Sequence, residues 1–327
     1  MFERLGLGSA VRELGGRHLG GAVATQRGRL LSTQPAKVLE ARWGAPTMAV
    51  LRSDLQSLLL DALPEETVRL GAELTSLWTH GNAVELLLTT GEITHADLVV
   101  GADGLWSIVR RHVLDDGPPR YRGYTTWRGV GRAGTARQLD GATELWARGE
   151  RFGLLPGRDE RLIWYASANA PEGSRGPRGE REALLGRFRT WPDPIPATLA
   201  SMSDDAIVRS DVYDRPVTRR WISPQVALLG DAAHPMTPDL GQGACQAIVD
   251  AWVLADSLRR GRTTVAGLEA YERRRWRTAA IATVSARSLG RVGQWRHPLV
   301  CRLRDEVMRA TPLAVQLWSL DAVMRID

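Results

Sequence analysis

The sequence predicts a mixed α/β protein in which an antiparallel sheet is inserted between two parts of another sheet, followed by C-terminal helices. Apolar runs at 96–101 and 225–230 end on glycine, as buried parallel strands do. Alternating runs crowd the chain between 120 and 170, which favours antiparallel strands. From Asp239 onward the apolar spacing is helical for most of the chain. We therefore expect a mixed layered architecture.

This pattern divides the chain into three predicted segments, each with its own role in the fold. Residues 1–119 and 216–327 carry the two glycine-ended strands, and residues 120–215 form the inserted antiparallel sheet. The glycine-ended strands are short and uniformly apolar, so they belong in a covered sheet.

The elements of the first segment follow from apolar spacing and turn residues. Leu55, Leu58 and Leu59 recur at helical spacing, and Pro64 follows where a helix is expected to stop. The predicted elements are a helix at 1–18, a hairpin at 21–33, a strand at 47–51, a helix at 53–63, and strands within 67–79, 83–90 and 92–100.

The remaining elements are read in the same way. Gly261 and Pro298 interrupt the C-terminal helical pattern. The predicted strands are 122–132, 142–148, 151–156, 160–168, 206–214 and 225–230, and the predicted long helices are 240–260, 264–290 and 297–324, with two short helices before residue 206.

The composition is that of an ordinary globular protein. Of 327 residues, 43% are hydrophobic and 24% charged, which excludes a disordered or collagen-like chain. The formal net charge is +6, and Lys37 is the only lysine. Because the arginines are interleaved with acids, as in 158–161, they form no continuous basic patch, and we predict no nucleic-acid partner.

Cysteine usage and the chain start indicate the compartment. Cys245 and Cys301 are isolated, without disulfide density or metal-ligand spacing, so we predict no metal site and a reducing environment. Residues 1–7 carry early charges and no apolar signal region. No uncharged apolar run is long enough to cross a membrane. We expect a cytoplasmic protein without a transmembrane segment.

Two segments carry the chemistry. Each places glycine and aspartate at the carboxyl end of an apolar strand, where open α/β sheets bind ligands. The segments are GADGLWSIVR at 101–110 and GDAAHPMTPDLGQG at 230–243. The second opens a long helix, whose exposed amides favour an anion. Glycine permits close approach of a pyrophosphate, and aspartate accepts hydrogen bonds from ribose hydroxyls.

These motifs, with LRSDLQSLL at 51–59, resemble those of the class A flavin monooxygenases, the para-hydroxybenzoate hydroxylase family. The branch they resemble most contains salicylate and urate hydroxylases and zeaxanthin epoxidases. The resemblance implies an FAD-binding parallel sheet around the inserted substrate-binding sheet. It also implies an enzyme in which NAD(P)H reduces FAD, O2 forms a flavin hydroperoxide, and one oxygen atom passes to an aromatic or other electron-rich small molecule.

The resemblance also assigns site residues. Pro238, Gly241 and Gly243 would line the flavin ring as the catalytic loop. The cofactor-binding residues implied are Arg52, Gln56, Asp103, Gly104, Arg110, Gly230, Asp231, Gly241, Gln242 and Gly243.

Substrate contacts are sought in the inserted sheet. The chain has 12 Trp against 3 Phe and 5 Tyr, and Trp127, Trp146 and Trp164 lie in its predicted strands. Most tryptophans are ordinary core residues, so the count alone assigns no site. Arg151 is the basic residue expected to grip an anionic or carbonyl group, with a free surface arginine as the alternative.

One departure from the family leaves alternatives open. The family begins with a strand and a GxGxxG turn, and this N-terminal βαβ unit is missing from the sequence. A mis-assigned start codon, a true truncation and a unit supplied by another chain all remain open. A flavin-free descendant acting as a binding protein or non-redox catalyst is the competing function. A flavin reductase or halogenase is a weaker reading, and the C-terminal helices offer a homodimer surface.

Overall fold

The computed structural model describes residues 1–15, 20–81, 83–132 and 141–324, which form three sheets flanked by helices. The strands are β1 (Gly21–Thr25), β2 (Leu30–Gln34), β3 (Leu74–His80), β4 (Ala83–Leu88), β5 (Ile93–Ala96), β6 (Val99–Gly101), β7 (Arg120–Arg132), β8 (Ala142–Trp146), β9 (Glu150–Pro156), β10 (Arg161–Asn169), β11 (Val208–Asp214), β12 (Ile222–Ser223) and β13 (Val226–Leu228).

The helices flank these sheets and dominate the C-terminal third. They are α1 (Gly8–Gly15), α2 (Ala36–Trp43), α3 (Arg52–Asp61), α4 (Ile108–Leu114), α5 (Glu180–Phe188), α6 (Ile195–Ala200), α7 (Gly243–Arg260), α8 (Thr264–Gly293), α9 (Pro298–Ala310) and α10 (Leu313–Met324).

The largest sheet has seven strands in the order β11-β7-β10-β9-β8-β1-β2. Alternate residues of β9 and β10 enter a buried core with α5 and α6, in which Phe152 and Trp164 stack at 5.6 Å between ring centroids. Phe188 of α5 meets Phe152 edge-on at 5.2 Å. Because successive strand residues alternate in direction, the intervening residues face the opposite side, where the cavity described below lies.

The first hairpin completes this sheet. β1 pairs antiparallel with β2 and parallel with β8. Residues 21–34 therefore lie beside the inserted strands, although more than a hundred residues separate them from β8 in the sequence. The predicted hairpin at 21–33 is confirmed. Its position in the large sheet was not predictable from local pattern, because the partner strand is distant in sequence.

The second sheet brings the two glycine–aspartate motifs together. β13 pairs parallel with β6, with Leu228 opposite Gly101, and β12 completes a three-stranded sheet. Its core includes Leu228, Val253 and Leu268. The carboxyl ends of β6 and β13 therefore coincide, as expected for parallel strands. β3, β4 and β5 form a separate antiparallel sheet.

The predicted fold class is confirmed, and several local predictions need correction. The expected strand at 47–51 is wrong, because those residues form no regular structure. Helix α2 was not predicted. The predicted helix at 297–324 is two helices, since Pro312 cannot continue the hydrogen-bond ladder of α9. Of the predicted helix at 1–18, residues 8–15 form α1, and residues 16–18 lie outside the described part.

None of the described helices is both long enough and apolar enough to cross a membrane.

The packing of β6 against α4 gives a stability prediction. A Cβ at Gly101 would lie 2.6 Å from the Val109 Cβ and 3.0 Å from the Leu228 Cδ2, so Gly101→Ala must displace strand or helix. We expect a loss of about 1–3 kcal/mol in the free energy of unfolding, measured by urea denaturation. Gly186→Ala in α5 is the matched control, because no atom lies within 4 Å of its Cβ position. That variant should be slightly stabilised, by about 0.5–1 kcal/mol.

Candidate functional site: a cofactor cradle beside a cavity

Asp103 organises the first motif by capping a helix. Its Oδ2 accepts from the amides of Ile108 at 2.7 Å and Val109 at 3.1 Å, and its Oδ1 accepts from the Ser107 hydroxyl at 2.5 Å. A carboxylate at a helix N-terminus satisfies unpaired amides and opposes the positive end of the macrodipole. Asp103 therefore fixes the start of α4, and Gly104 beside it adopts a positive φ of 78°.

Arg110 ties the first motif to the second from inside the protein. Its guanidinium is fully buried and donates to the carbonyl oxygens of Ala232 at 2.8 Å and Ala233 at 2.7 Å. The remaining donors bond to the Asp116 carboxylate. Sequence resemblance assigned Arg110 to cofactor binding, and the structure places it beneath the 230–234 loop. It holds this loop in position.

A second buried network holds the same loop from the side of the helices. Asp250 of α7 accepts from the Gly230 amide at 3.0 Å and from Arg275 Nε at 2.7 Å, and its Oδ2 lies 2.5 Å from His234 Nε2. Arg275 of α8 also donates to the Gln246 side chain at 2.6 Å. One carboxylate therefore joins the motif loop, α7 and α8.

The pKa of the Asp250 carboxyl follows from these contacts. Burial by itself would raise that pKa, but His234 and Arg275 outweigh burial and bring it below its usual range. The carboxylate is thus ionised at neutral pH, and its folded-state pKa lies below its unfolded value.

Residues 230–243 form the cofactor cradle, a backbone surface that suits a nucleotide cofactor. Gly230 has φ 57°, and a Cβ there would lie 3.1 Å from the Ala247 Cβ. Gly241 has φ 63°, with no atom within 4 Å of its Cβ position, so the backbone is approachable there. α7 then begins at Gly243, and the side chain of its N-cap residue Gln242 accepts no hydrogen bond from the first-turn amides. The first-turn amides of α7 are oriented for an anionic or carbonyl ligand.

Asp231 is the exposed acid of this cradle. Its Oδ1 would lie 3.8 Å from a Cβ at Gly243, beside the start of α7. The concave surroundings reduce its hydration and raise the pKa of its carboxyl, while His234 and Arg52 act in the opposite direction. Arg52, at the first turn of α3, is therefore near Asp231, and both Arg52 and Gln56 are exposed.

A cavity of about 600 Å³ adjoins this cradle. Its floor is the face of the large sheet opposite α5 and α6, and residues 238–241 form part of its wall. The predicted catalytic residues Pro238 and Gly241 border it. Gly243 begins α7 next to this wall.

A buried ion cluster joins the floor of the cavity to that wall. Arg151 of β9 bonds to the Asp239 carboxylate, and its Nη1 lies 3.5 Å from Glu144 Oε1. The Tyr124 hydroxyl donates to Asp239 Oδ2 at 2.6 Å. The Tyr165 hydroxyl lies next to the Glu144 carboxylate. The cluster therefore connects β7, β8, β9 and β10 with the 238–241 loop.

Three glycines make room for the cluster. A Cβ at Gly290 would lie 2.9 Å from the Tyr124 hydroxyl, and one at Gly293 would lie 2.9 Å from Arg151 Nε. A Cβ at Gly153 would overlap the Tyr165 ring. Gly290 and Gly293, which in the sequence look like helix breakers, lie within α8 and admit these side chains.

The cluster sets the ionisation of its members. Burial would lower the pKa of Arg151, but Glu144 and Asp239 outweigh it and raise that pKa, so the guanidinium stays charged. Burial and the neighbouring Glu144 raise the pKa of Tyr165, and burial and Asp239 raise that of Tyr124. Both tyrosines are neutral donors at neutral pH.

The predicted substrate residues occupy different places. Arg151, Trp127 and Trp164 line the cavity, whereas Trp146 lies outside its described lining and packs under Arg151 and Arg304. Trp127 and Trp164 also belong to the core against α5 and α6, and the Trp127 indole donates to Glu180. Their substrate roles remain predictions.

Sequence reasoning missed the partners of Arg151. Glu144, Asp239, Tyr124 and Tyr165 were not singled out. Strand alternation carried a usable signal, because Glu144 is a charged residue in a half-buried strand. The convergence on Asp239 depends on tertiary contacts and had no local signal.

Comparison with known proteins decides the family. A family profile described as an FAD binding domain matches residues 1–286. The chain belongs to this FAD-binding family. It is similar to aurachin C monooxygenase/isomerase of Stigmatella aurantiaca, with 38% identity over 94% of this chain and 80% of that protein.

Two further relatives show the breadth of this similarity. Zeaxanthin epoxidase of an Oncidium hybrid cultivar is 33% identical over 68% of this chain, which spans about a third (34%) of that longer protein. The solved structure of Klebsiella pneumoniae HpxO with FAD and uric acid has a TM-score of 0.91 at 27% identity, covering 99% of this chain and 84% of HpxO.

The resemblance to class A flavin monooxygenases is therefore confirmed, as is FAD as the cofactor. The residues present fit FAD, because the glycines, the exposed Asp231 and the open start of α7 form one cradle. FAD contacts by Asp231, Arg52 and the 241–243 amides stay predictions.

The buried Asp250 carboxylate gives a pH-dependent stability prediction. Since its folded pKa is lowered, its stabilisation is complete above the unfolded pKa and is lost as pH falls through the folded value. Asp250→Asn should cost about 3–5 kcal/mol at neutral pH, because Arg275 and His234 lose their partner.

Urea denaturation over an acid-to-neutral pH series measures this effect. The difference in the free energy of unfolding between wild type and Asp250→Asn should decrease as the pH falls. Asp97→Asn is the control, since Asp97 is exposed. A gap that stays constant from neutral to strongly acidic pH would contradict the ionic role of Asp250.

Proposed function

We propose that this chain is an FAD-dependent monooxygenase that uses NAD(P)H and O2 to oxidise an aromatic small molecule. The observation that carries the proposal is the shared wall between cradle and cavity. Residues 238–241 border the cavity and lead directly into the open start of α7. A cofactor held by the cradle and a substrate held in the cavity would meet at this wall.

The chain's own residues would perform binding and orientation. Asp231 would accept hydrogen bonds from cofactor hydroxyls, and Arg52 would pair with a phosphate. The amides at the start of α7 would stabilise negative charge near Gly241–Gly243, because they lack intrahelical acceptors and lie at the positive helix end.

The ion cluster would keep the reacting region rigid. Arg151 holds Asp239, and Asp239 is also bound by Tyr124, so the 238–241 loop is fixed to two strands of the cavity floor. The charges of Arg151 and Asp239 are paired with each other, and Arg151 Nε is a buried donor without a partner among the described residues. A rigid wall of this kind orients a substrate and limits water at the reacting face.

FAD, when bound, would supply the redox chemistry of the reaction, with NAD(P)H as the reductant and O2 as the oxidant. The relatives named above include a monooxygenase and an epoxidase, which supports this assignment. NAD(P)H as reductant, O2 as oxidant and a homodimer are parts of the proposal. So is a cytoplasmic location, in keeping with the two free cysteines.

FAD titration of the purified chain tests cofactor binding. We expect a bound-flavin visible spectrum. Asp231→Asn should raise the FAD dissociation constant about ten- to a hundredfold, because one charge-assisted hydrogen bond contributes about 1.5–3 kcal/mol. Asp97→Asn is the control, because Asp97 is also an exposed acid and lies just before β6, and this variant should bind FAD like wild type.

Turnover tests the reaction itself. NAD(P)H oxidation by the FAD-loaded chain should rise when a suitable aromatic substrate is added, with oxygen incorporated into the product. A chain that stays colourless at saturating FAD would instead support the flavin-free alternative.

A further inference from the structure

The cavity floor is divided into three rows by the register of its strands. Closest to the 238–241 wall, Arg151 pairs with Ser167, which pairs with Thr126. In the next row Glu144 pairs with Gly153, and Gly153 pairs with Tyr165. Tyr165 in turn pairs with Arg128. All of these residues except Gly153 line the cavity.

The third row is apolar. Leu155 pairs with Ile163, and both residues line the cavity. Val130, the partner of Ile163 on β7, is 42% exposed and lies outside the described lining. Leu155 lies four positions after Arg151 along β9, a distance of about 13 Å at the usual strand rise. The floor therefore changes from ionic to hydrocarbon along the strands.

The inner cation is not available to a substrate anion. Arg151 faces two carboxylates, Asp239 and Glu144, and its side chain is 4% exposed. Within the described cluster one guanidinium thus balances two acids, leaving an excess of one negative charge. A substrate carboxylate placed there would be repelled and would lose its hydration without gaining a cation.

Glu144 is the part of the cluster that can still bind a ligand. Its side chain is 19% exposed and borders the cavity. Its contact with Arg151 is long, at 3.5 Å, and the Tyr165 hydroxyl lies next to it. A carboxylate has about four acceptor sites, so at least one has no donor among the residues that the structure describes.

The second cation of the described lining lies far from this acceptor. Arg128 is exposed, and in the middle row it is separated from Glu144 by Tyr165 and Gly153. Three strand spacings amount to about 14 Å. Arg128 therefore belongs to the rim of the cavity, and Glu144 to its interior.

We infer that the cavity selects a neutral aromatic molecule whose N–H or O–H group donates to Glu144 and whose hydrocarbon substituent lies along Leu155 and Ile163. Glu144 is thus a specificity-determining residue. This inference rests on the proposed function, because it names the substrate class of the same cavity. A volume of about 600 Å³ accommodates a ring together with such a substituent.

Four probes separate these contributions in calorimetric titrations of the FAD-loaded chain. They are 4-heptylphenol, its methyl ether, phenol and 4-hydroxybenzoate. We expect 4-heptylphenol to bind at least about tenfold tighter than phenol, because its heptyl substituent buries apolar surface in the cavity. We expect it to bind about ten- to a hundredfold tighter than the ether, which has no donor for Glu144. 4-Hydroxybenzoate should bind weakest.

Glu144→Gln tests the acceptor directly. The variant should lose about five- to twentyfold in affinity for 4-heptylphenol and remain near wild type for the methyl ether, since only the phenol uses the charge of Glu144. Glu150→Gln is the control, because Glu150 lies on the same sheet, outside the cavity lining, and pairs with Arg187. It should leave both affinities unchanged.

Several results would overturn the inference. Equal binding of 4-heptylphenol and its ether by wild type would remove the donor requirement, even if Glu144→Gln failed to fold. Binding of 4-hydroxybenzoate as tightly as 4-heptylphenol would remove the selection against carboxylates, and equal losses for both ligands in Glu144→Gln would make Glu144 merely structural. Absence of 4-heptylphenol binding would also overturn it.

The proposed function has its own separate readout. A chain that binds FAD and shows aromatic-stimulated NAD(P)H oxidation, yet fails this probe panel, would refute the substrate class alone. A chain that shows the probe preferences without any stimulated oxidation would refute the monooxygenase reaction alone.

Discussion

The ion pair between Arg151 and Asp239 is the interaction on which the candidate site depends. It spans from the inserted sheet to the loop that leads into α7, and it is closed off by Gly290 and Gly293 of α8. A buried pair of this kind is costly to desolvate, so it contributes little net stability by itself. Its value is positional, because either charge left alone would be strongly unfavourable in this place. The cavity floor and the cofactor-side wall are therefore held in one arrangement.

The cradle is fixed by the same strategy on its other side. Arg110 bonds to two carbonyl oxygens of the motif loop, and Asp250 bonds to the Gly230 amide. Arg110 and Asp250 need not contact a ligand to affect binding, because both fix the backbone of the loop that carries Asp231. These contacts explain part of the arginine-rich composition. Arg110, Arg151 and Arg275 are buried and paired, and so they contribute to internal geometry instead of a basic surface.

Much of the fold could be predicted from local pattern. The strands of the inserted sheet, the parallel ends of β6 and β13, and the long helices α7 and α8 follow from spacing and turn residues. The failures were at 47–51 and at α2, where weak local preference was decided by packing. The motifs likewise predicted the cradle, since Gly230, Asp231 and Gly241 are sequence-local features.

The sequence by itself determined the fold class, the family and the cofactor, because these rest on short motifs whose backbone geometry is local. Only the tertiary structure decided the character of the cavity. It placed Arg110 beneath the loop and paired the charged Arg151 guanidinium with the Asp239 and Glu144 carboxylates. Electrostatic partners drawn from strands and loops far apart in the chain depend on packing and register, and no local pattern specifies them.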